Sequence, residues 1–492
     1  MRIRTPGRGE AAASTAASIV LKVPAHLKHL VAPFESLIEE VDKRAEQLGR
    51  DGRAVDYAQI ERAFAEQVAA IETAAHHCTL QAAVAVEPQR IEVRGDTYIR
   101  VGEGVGTYYT MTGPIALRRG LYRRVGEHNG ETVDVISLRT GAVGDGWLPH
   151  TAKAMAHYLQ LGTSREAEQA TKQVGRLPYS RASFERVPHL VGRLWLEHHA
   201  DIEDQLIQDF AIPDQAASIS IALDRASVPM EEAVPRRPGR PRKGAPKRSV
   251  TRVFHMCYCA TVTIHDEDGH ALHTIRRGQM PSCDPQDLCN LLANDVLQLR
   301  ERRSDLRIAL LADGAPEMWN LLEANFPVGV FGNLHRCVDF WHVIEKLAAA
   351  AKVLCRDAAT AKAMVWRWRQ LLRRRKDAAA SILAELLASG REEVMVDGER
   401  PVHDAITYLQ NNAERMNYAG AIKKGLPIGS GNVEATCKTL VGLRMKRCGS
   451  RWHHDTGNHV MHLRALALSD RWDDAMAKLF ATQRTPVRRC AA

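Results

Sequence analysis

The stretch Gly425-Leu-Pro-Ile-Gly-Ser-Gly-Asn-Val-Glu434, near the C-terminal end, is the most informative part of this sequence. One proline and three glycines predict a turn, after which Ser430 or Asn432 can cap the start of a helix. Glu434 would then lie in the first turn of that helix, where the backbone holds its carboxylate at a fixed position. Glu434 is therefore a candidate catalytic residue.

Two more carboxylates are predicted to be held by strands upstream of this stretch. Asp313 follows the apolar run 308–312 and precedes a glycine, which is typical of a buried strand with an acid at its end. Asp224 follows the run 218–223 in the same way. Two acids on strands and one on a late helix are the ligands that two-metal phosphodiester chemistry requires.

Each of these acids also has a simpler interpretation. Asp313 could be only a turn residue, since a glycine follows it. Glu434 could neutralise a helix N-terminus or pair with Lys438 one turn later. Asp266 and Asp268 are rivals for the first strand acid, but their segment is more typical of a hairpin turn.

These motifs resemble those of the DDE transposases of bacterial insertion sequences, closest to the ISKra-type group. The resemblance covers roughly residues 150–475 and is strongest in their final third. The stretches that carry it are Asp313-Gly-Ala, Phe326-Pro327, Val338-Asp339-Phe-Trp-His342-Val-Ile-Glu345, Gly425 to Glu434, and Arg444-Met-Lys446.

The resemblance implies a multidomain α/β chain with an RNase H-like catalytic core interrupted by a helical insertion. In such a core Asp224 on the first strand and Asp313 on the fourth are neighbours. Asp224 would bridge two Mg²⁺ ions, with Mn²⁺ as a substitute, while Asp313 would hold one ion and Glu434 the other. Asp339 and His342 resemble the Cys/Asp-x-x-His signature of several transposase groups and would assist near the phosphate. The alternative for that pair is a packed strand-to-helix junction.

The chain is predicted to consist of helical, small β-rich and helix-turn-helix modules that precede the interrupted core. The predicted segments are 1–88 (helical region, with 1–16 disordered), 89–148 (β-rich module), 149–200 (helix-turn-helix domain), 215–345 (first part of the core), 346–420 (helical insertion) and 421–475 (final helix region of the core). The strands predicted within them are 91–95, 107–111, 133–138, 218–223, 253–265, 271–276 and 308–312, with a helix from Asp284 to about Arg300.

The helix-turn-helix prediction rests on start and stop signals. Thr163-Ser-Arg-Glu166 is a capping-box pattern, and Gly175 predicts the end of the helix that follows. A second helix after this tight turn gives helix-turn-helix spacing and would present Arg181 and Arg186 to a DNA groove. Pro188 is predicted to interrupt that second helix. An ordinary helical hairpin is the alternative.

The net charge of +9 is unevenly distributed, since eight Lys or Arg residues and no acid lie between Ala233 and Arg252. Such a run favours a polyanionic partner. Its Arg236-Arg-Pro-Gly-Arg240-Pro-Arg242-Lys243 segment resembles an AT-hook, whose arginines enter a narrow minor groove. A solvated basic loop is the alternative. The residues predicted to contact DNA are therefore Arg181, Arg186, Arg240, Arg242, Lys243, Lys438, Arg444 and Lys446.

The cysteine spacing and the length of the apolar runs indicate which cellular compartment to expect for the chain. The ten cysteines include no Cys-x-x-Cys pair, which favours a reducing cytosol over a disulfide framework. No apolar run approaches the roughly 20 residues of a membrane span. We expect a bacterial cytoplasmic protein, associated with the nucleoid when bound to DNA. Its predicted partner is double-stranded DNA, both element ends and target, held by a homodimer or larger assembly.

Three functions are compatible with these features. The leading one is a transposase that performs metal-dependent cleavage and strand transfer on DNA. The second is an RNase H-like nuclease without strand transfer, which the large insertion and the upstream DNA-binding modules disfavour. The third is a non-catalytic DNA-binding protein derived from a transposase, which would be expected to have lost one of the acids.

Overall fold

The computed structural model describes residues 20–49, 52, 54–85, 87–234 and 250–490. Within them the chain is a mixed α/β protein with two sheets and two compact units. Unit 1 comprises the described residues up to Trp195 and from Met476 onward, and unit 2 comprises Leu196–Ala475. The segment 1–16 and the predicted DNA contacts Arg240, Arg242 and Lys243 lie outside the described residues. No helix in the described ranges is long and apolar enough to cross a membrane.

Unit 1 begins with a helical pair, as the apolar spacing predicted. The 3-10 turn Ala25–Leu30 leads into α1 (Val31–Gly49), which is followed by α2 (Tyr57–Val84). Leu80 of α2 is buried in an apolar cluster with Tyr108 and Ile115 of the first sheet.

Three strands of the first sheet form an antiparallel meander. They are β1 (Arg90–Val93), β2 (Asp96–Thr110) and β3 (Gly113–Arg124). The strand predicted at 133–138 is wrong, because α3 (Val135–Thr140) begins there. Asp134 caps this helix by accepting the Ser137 N–H at 2.8 Å, and it also accepts the Tyr108 hydroxyl at 2.6 Å. This buried carboxylate is satisfied by a helix start rather than by a sheet edge.

The predicted helix-turn-helix segment contains three helices, α4 (Pro149–Leu161), α5 (Ser164–Val174) and α6 (Arg181–Asp209). The capping box of Thr163 and Glu166 is confirmed, and Gly175 ends α5 at a φ of 71°. The predicted interruption at Pro188 is wrong, because α6 continues through it. Val187 and Val191 are fully buried on this helix, and their packing offsets the hydrogen bond that proline cannot make.

The sheet of unit 2 has five strands in the order β6-β5-β4-β7-β8. They are β4 (Ser218–Ala233), β5 (Val250–His265), β6 (Ala271–Gln279), β7 (Arg307–Ala312) and β8 (His335–Val338). β4, β5 and β6 pair antiparallel, while β4, β7 and β8 run parallel. Four of the five strands were predicted from the sequence, and β8 was missed. Five consecutive residues of β7 are buried, as expected for a parallel strand covered on both faces.

Helices cover this sheet and fill most of the interval before Glu434. They are α7 (Pro285–Arg302), α8 (Pro316–Asn325), α9 (Val328–Phe331), α10 (Phe340–Leu354), α11 (Ala358–Arg374), α12 (Ala378–Ala388), α13 (Pro401–Asn412), α14 (Tyr418–Lys423), α15 (Gly431–Thr436), α16 (Leu443–Met445) and α17 (His454–Leu468). α7 confirms the helix predicted from Asp284, whose side chain caps it. Finally, α18 (Trp472–Gln483) leads to β9 (Val487–Arg489), which pairs with β1 in unit 1.

One hairpin extends well beyond the five-stranded sheet. β4 and β5 stay paired from Ser218 opposite His265 to Ala233 opposite Val250, whereas β7 pairs with β4 only as far as Ala222. Residues 225–233 and 250–257 therefore form a two-stranded projection, called the arm below. Asp224 was predicted at the end of a strand but lies within β4, because the arm continues the strand past it.

Candidate functional site

Three aspartates lie together where the parallel strands of unit 2 stop pairing. Pairing of β4 with β7 ends two residues before Asp224 and Asp313. Pairing of β7 with β8 ends one residue before Asp313 and Asp339. Because neighbouring parallel strands keep corresponding residues side by side, the three acids occupy one edge of the sheet.

Asp224 and Asp313 form the part of this edge where two acidic side chains lie close enough to affect each other's charge. Burial raises the pKa of the Asp224 carboxyl and the charge of Asp313 raises it further, against hydrogen bonds from the Arg225 N–H and the Cys437 thiol. Asp313 accepts the Ala315 N–H at 3.0 Å. Within the described ranges neither Asp224 nor Asp313 forms an ion pair with a cationic side chain. Two such carboxylates with free coordination capacity suit a hard divalent cation.

The glycine after Asp313 is required by packing as well as by the turn. A Cβ atom on Gly314 would lie 2.4 Å from a ring carbon of Tyr408, which α13 supplies. Burial raises the pKa of the Tyr408 hydroxyl, and the charges of Asp313 and Asp339 raise it further. The Asp-Gly pair thus lets α13 close over the end of β7.

Glu434 lies in the first turn of α15, as predicted. The predicted capping by Ser430 or Asn432 is wrong, since Ser430 stands at the cap position but its side chain makes no capping bond. The Ser430 hydroxyl instead donates to Asp339 Oδ2 at 2.8 Å, and the Asn432 amide donates to Thr263 at 3.3 Å. The turn before α15 is therefore attached to the end of β8 rather than closed on itself.

Asp339 and His342 connect this turn to α10. Asp339 is 0% exposed, caps α10 by accepting the His342 N–H at 2.8 Å, and lies 3.2 Å from His342 Nδ1. Burial acts to raise the pKa of Asp339, but hydrogen bonds from His342 and Ser430 outweigh it and hold the pKa at about 2. The bond to Asp339 raises the pKa of His342 to about 9, with a smaller contribution from Glu434. At neutral pH the pair is therefore carboxylate and imidazolium.

Asp224, Asp313 and Glu434 do not form a compact ligand cluster: among the described residues, the group of possible metal ligands that converges is Asp339, His342 and Glu434. Single ligand atoms of Asp339, His342 and Glu434 all lie within 4.8 Å of one another. Both oxygens of Asp339 accept hydrogen bonds, and His342 Nδ1 faces one of them. His342 Nδ1 also lies 3.8 Å from Glu434 Oε1. These contacts connect Glu434 to Asp339 through His342, and the same three residues are candidate ligands for a metal ion.

The helix that carries Glu434 contains an unusual turn. Residues Cys437–Gly442 adopt π-helical geometry between α15 and α16, with Leu440 and Val441 buried. Cys437 Sγ lies 3.4 Å from Asp224 Oδ2, so the turn after Glu434 contacts the first strand acid. π-turns often occur at functional sites. Neither this turn nor the contact of Cys437 was predicted.

The predicted DNA contacts differ in accessibility. Arg181 and Arg186 are exposed at the start of α6, where Arg186 pairs with Asp145 at 2.6 Å. Lys438 and Lys446 are also exposed, and Lys438 lies 3.7 Å from Glu434. Arg444 is only 4% exposed and its guanidinium lies over the Trp452 ring. Its burial does not favour direct contact with DNA.

An aromatic residue beside the site was also missed. Trp341 is 48% exposed, and the Arg369 guanidinium lies 4.7 Å from its ring centroid. A Cβ atom on Gly429 would come within 3.3 Å of the Trp341 ring and 3.5 Å of Asp339. The only signal in the sequence was the glycine itself, whose requirement becomes visible once the turn is placed against α10.

No protein-family model matches the chain, and no curated protein does either. Among solved structures, similarity is found to a Drosophila P element transposase strand transfer complex. The TM-score is 0.23 at 14% sequence identity, and the match covers 71% of this chain and 85% of that chain. A TM-score this low does not establish a shared fold, so proposals for this chain rest on its own residues.

Proposed function

We propose that this chain is a transposase that binds the ends of a mobile element and catalyses metal-dependent DNA cleavage and strand transfer. The observation that carries the proposal is the convergence of Asp224 and Asp313 at one sheet edge, with the helix of Glu434 touching Asp224 through Cys437. The strand order β6-β5-β4-β7-β8, antiparallel on one side and parallel on the other, supports an RNase H-like core.

Asp224, Asp313 and Glu434 offer the hard carboxylate oxygens that suit Mg²⁺, or Mn²⁺ as a substitute. Of the three, Glu434 belongs to the group of ligand atoms that converges among the described residues. Asp224, Asp313 and Glu434 would hold such ions. Bound ions of this kind activate a water or 3′-hydroxyl and stabilise the leaving oxygen. The chain itself fixes the carboxylates: β7 holds Asp313, and the Asp339–His342 pair holds the turn before Glu434.

Modules outside the site would deliver the DNA. The exposed arginines Arg181 and Arg186 and the basic loop with Arg240, Arg242 and Lys243 carry positive charge suited to phosphate contacts. The division into six segments, the double-stranded DNA partner and the cytoplasmic location remain predictions.

The direct test is to incubate the purified chain with Mg²⁺ and the DNA that flanks its gene. We expect breaks at the element ends and products joined to a target duplex, both lost when EDTA removes the metal. Breaks without joined products would favour a nuclease. Binding without any break would favour the non-catalytic protein, and either result would contradict the proposal.

A second expectation concerns the basic loop. Replacing Arg240 and Arg242 with Ala should weaken DNA binding and lower the slope of log K against log salt by about one per lost phosphate contact. Titrations of element-end DNA at several salt concentrations measure that slope. An unchanged slope would make the loop a spacer.

A third expectation concerns assembly on DNA. One chain carries one set of acids, so concerted work on two ends calls for at least two protomers, most commonly a symmetric dimer. Mixing the Glu434→Gln variant with wild type should give complexes that cut one end and form few double-end products. Mass measurement of the end complex checks this, and a single protomer competent for concerted transfer would contradict it.

A further inference from the structure

The arm carries an exposed apolar patch that the proposed chemistry does not use. Phe254 and Met256 are 53% and 45% exposed, and their alternate positions on β5 place them on one face. Arg252 continues this face, with its guanidinium 4.9 Å from the Phe254 ring centroid. Ser227 and Pro229 stand opposite Met256 and Phe254 on β4. The patch below consists of Arg252, Phe254 and Met256.

The surroundings of the patch are basic. Both acids of the arm have partners, because Glu231 pairs with Arg451 at 2.8 Å and Glu232 shares a hydrogen bond with His255 at 2.6 Å. The segment around Trp452 pairs with the arm at Met230, and the stretch 443–453 contains no acid. It brings in Lys446 and Arg447, besides Arg444, which is buried, and Arg451, which is the partner of Glu231. The sequence joining β4 to β5 adds further positive charge without any acid.

Size and charge together determine which partner fits this patch. A stable protein interface buries about 800 Å² per partner, far more than two side chains on a narrow hairpin can supply. Apolar wedges flanked by basic residues are the means by which proteins part the base steps of a duplex. Arg stacked on an aromatic ring is also common at nucleic-acid surfaces.

We propose that the patch is a DNA-contacting surface in which Phe254 and Met256 press against a base step and Arg252 binds the adjoining phosphate. The identity of the partner rests on the function proposed above. The inference extends that function by assigning a base-contacting role to the arm, separate from the carboxylate site. It also predicts a local unstacking of the duplex where the arm meets it.

The test compares the full-length double variant Phe254→Ala/Met256→Ala with wild type and with Leu272→Ala. Leu272 is an exposed apolar residue on β6, at the opposite end of the same sheet, and serves as the matched control. The probe is the chain's own flanking duplex, carrying 2-aminopurine at successive positions. We expect the double variant to bind about tenfold more weakly. Its salt slope should not change, and the 2-aminopurine signal of unstacking should disappear, while Leu272→Ala binds normally.

The Arg252→Ala variant tests the phosphate contact separately from the apolar contact. It should lower the slope of log K against log salt by about one. The melting temperatures of all variants verify folding, because substitutions of exposed residues should leave them nearly unchanged. Unaltered affinity in the double variant, or a loss of self-association in place of a loss of DNA binding, overturns the inference.

Cleavage measured on the same duplex separates this inference from the proposed function. If wild type cleaves the duplex and the double variant binds it as well as wild type does, the proposed function stands and the role assigned to the arm is contradicted. If the double variant binds more weakly but wild type does not cleave, the role assigned to the arm stands and the proposed function is contradicted. If wild type does not bind the DNA at all, both the proposed function and the role assigned to the arm are contradicted.

Discussion

Asp313→Asn and Glu434→Gln are each expected to abolish DNA cleavage while binding of element ends stays within a few-fold of wild type. Both substitutions keep the side-chain shape but remove the charge that would hold a divalent cation. We expect losses of at least about a hundredfold, since even changes to the partners of metal ligands reach that scale. Single-turnover cleavage at saturating protein measures the effect without interference from weaker binding.

Asp266→Asn is the matched control for this experiment. Asp266 is also an acid of unit 2, but its side chain accepts the N–H groups of Asp268 and His270 within the β5–β6 turn. Its loss should leave cleavage unchanged. Near wild-type cleavage by Asp313→Asn or by Glu434→Gln would show that the assignment of the metal ligands is wrong.

Asp339→Ala is expected to destabilise the protein by roughly 3–5 kcal/mol and to reduce cleavage as well. The substitution leaves Ser430 and the His342 N–H without their buried acceptor, and each unpaired buried group costs about 1–3 kcal/mol. Urea unfolding measures the change. Asp357→Ala is the control, because Asp357 also caps a helix but is exposed, so its loss should cost only about 1 kcal/mol.

The pH dependence of stability gives this prediction a second readout. The pKa of Asp339 is lowered to about 2, so its contribution is complete above pH 4 and is lost as the pH falls towards 2. That shift corresponds to about 2 kcal/mol. The pKa of His342 is raised to about 9, so its contribution is complete below pH 6.5 and is lost as the pH rises through 9. Asp339→Ala should remove both slopes, and their persistence would contradict the ion-pair assignment.

Parts of unit 2 could be predicted from the sequence where a short apolar run lies between turn residues. The run 308–312 and the pattern from Asp284 carried enough local signal to place β7 and α7. The sequence pattern predicted the wrong secondary structure where contacts with distant residues determined it. Burial of Asp134 turned a strand-like stretch into α3, and core packing carried α6 through Pro188.

The sequence could indicate the candidate acids of the site, but not the side-chain contacts that hold them in place. The positions of Asp224 and Asp313 follow from strand register, which a sequence pattern can indicate. The attachment of Ser430 to Asp339 joins residues 91 positions apart, and no local pattern reports such a contact. The same holds for Cys437 against Asp224, which depends on the π-turn.

The π-turn at Cys437–Gly442 amounts to one residue more than a regular helix needs for the same length. Deleting the exposed Lys438 would let the segment relax to α-helix, with ordinary hydrogen bonds throughout. The part before the deletion would then rotate by about 100° relative to the part after it, because each residue advances an α-helix by that angle. Cys437 would then lose its contact with Asp224, while the apolar residues after it stayed in place. On the proposed function, loss of this one codon should abolish cleavage while the fold is kept.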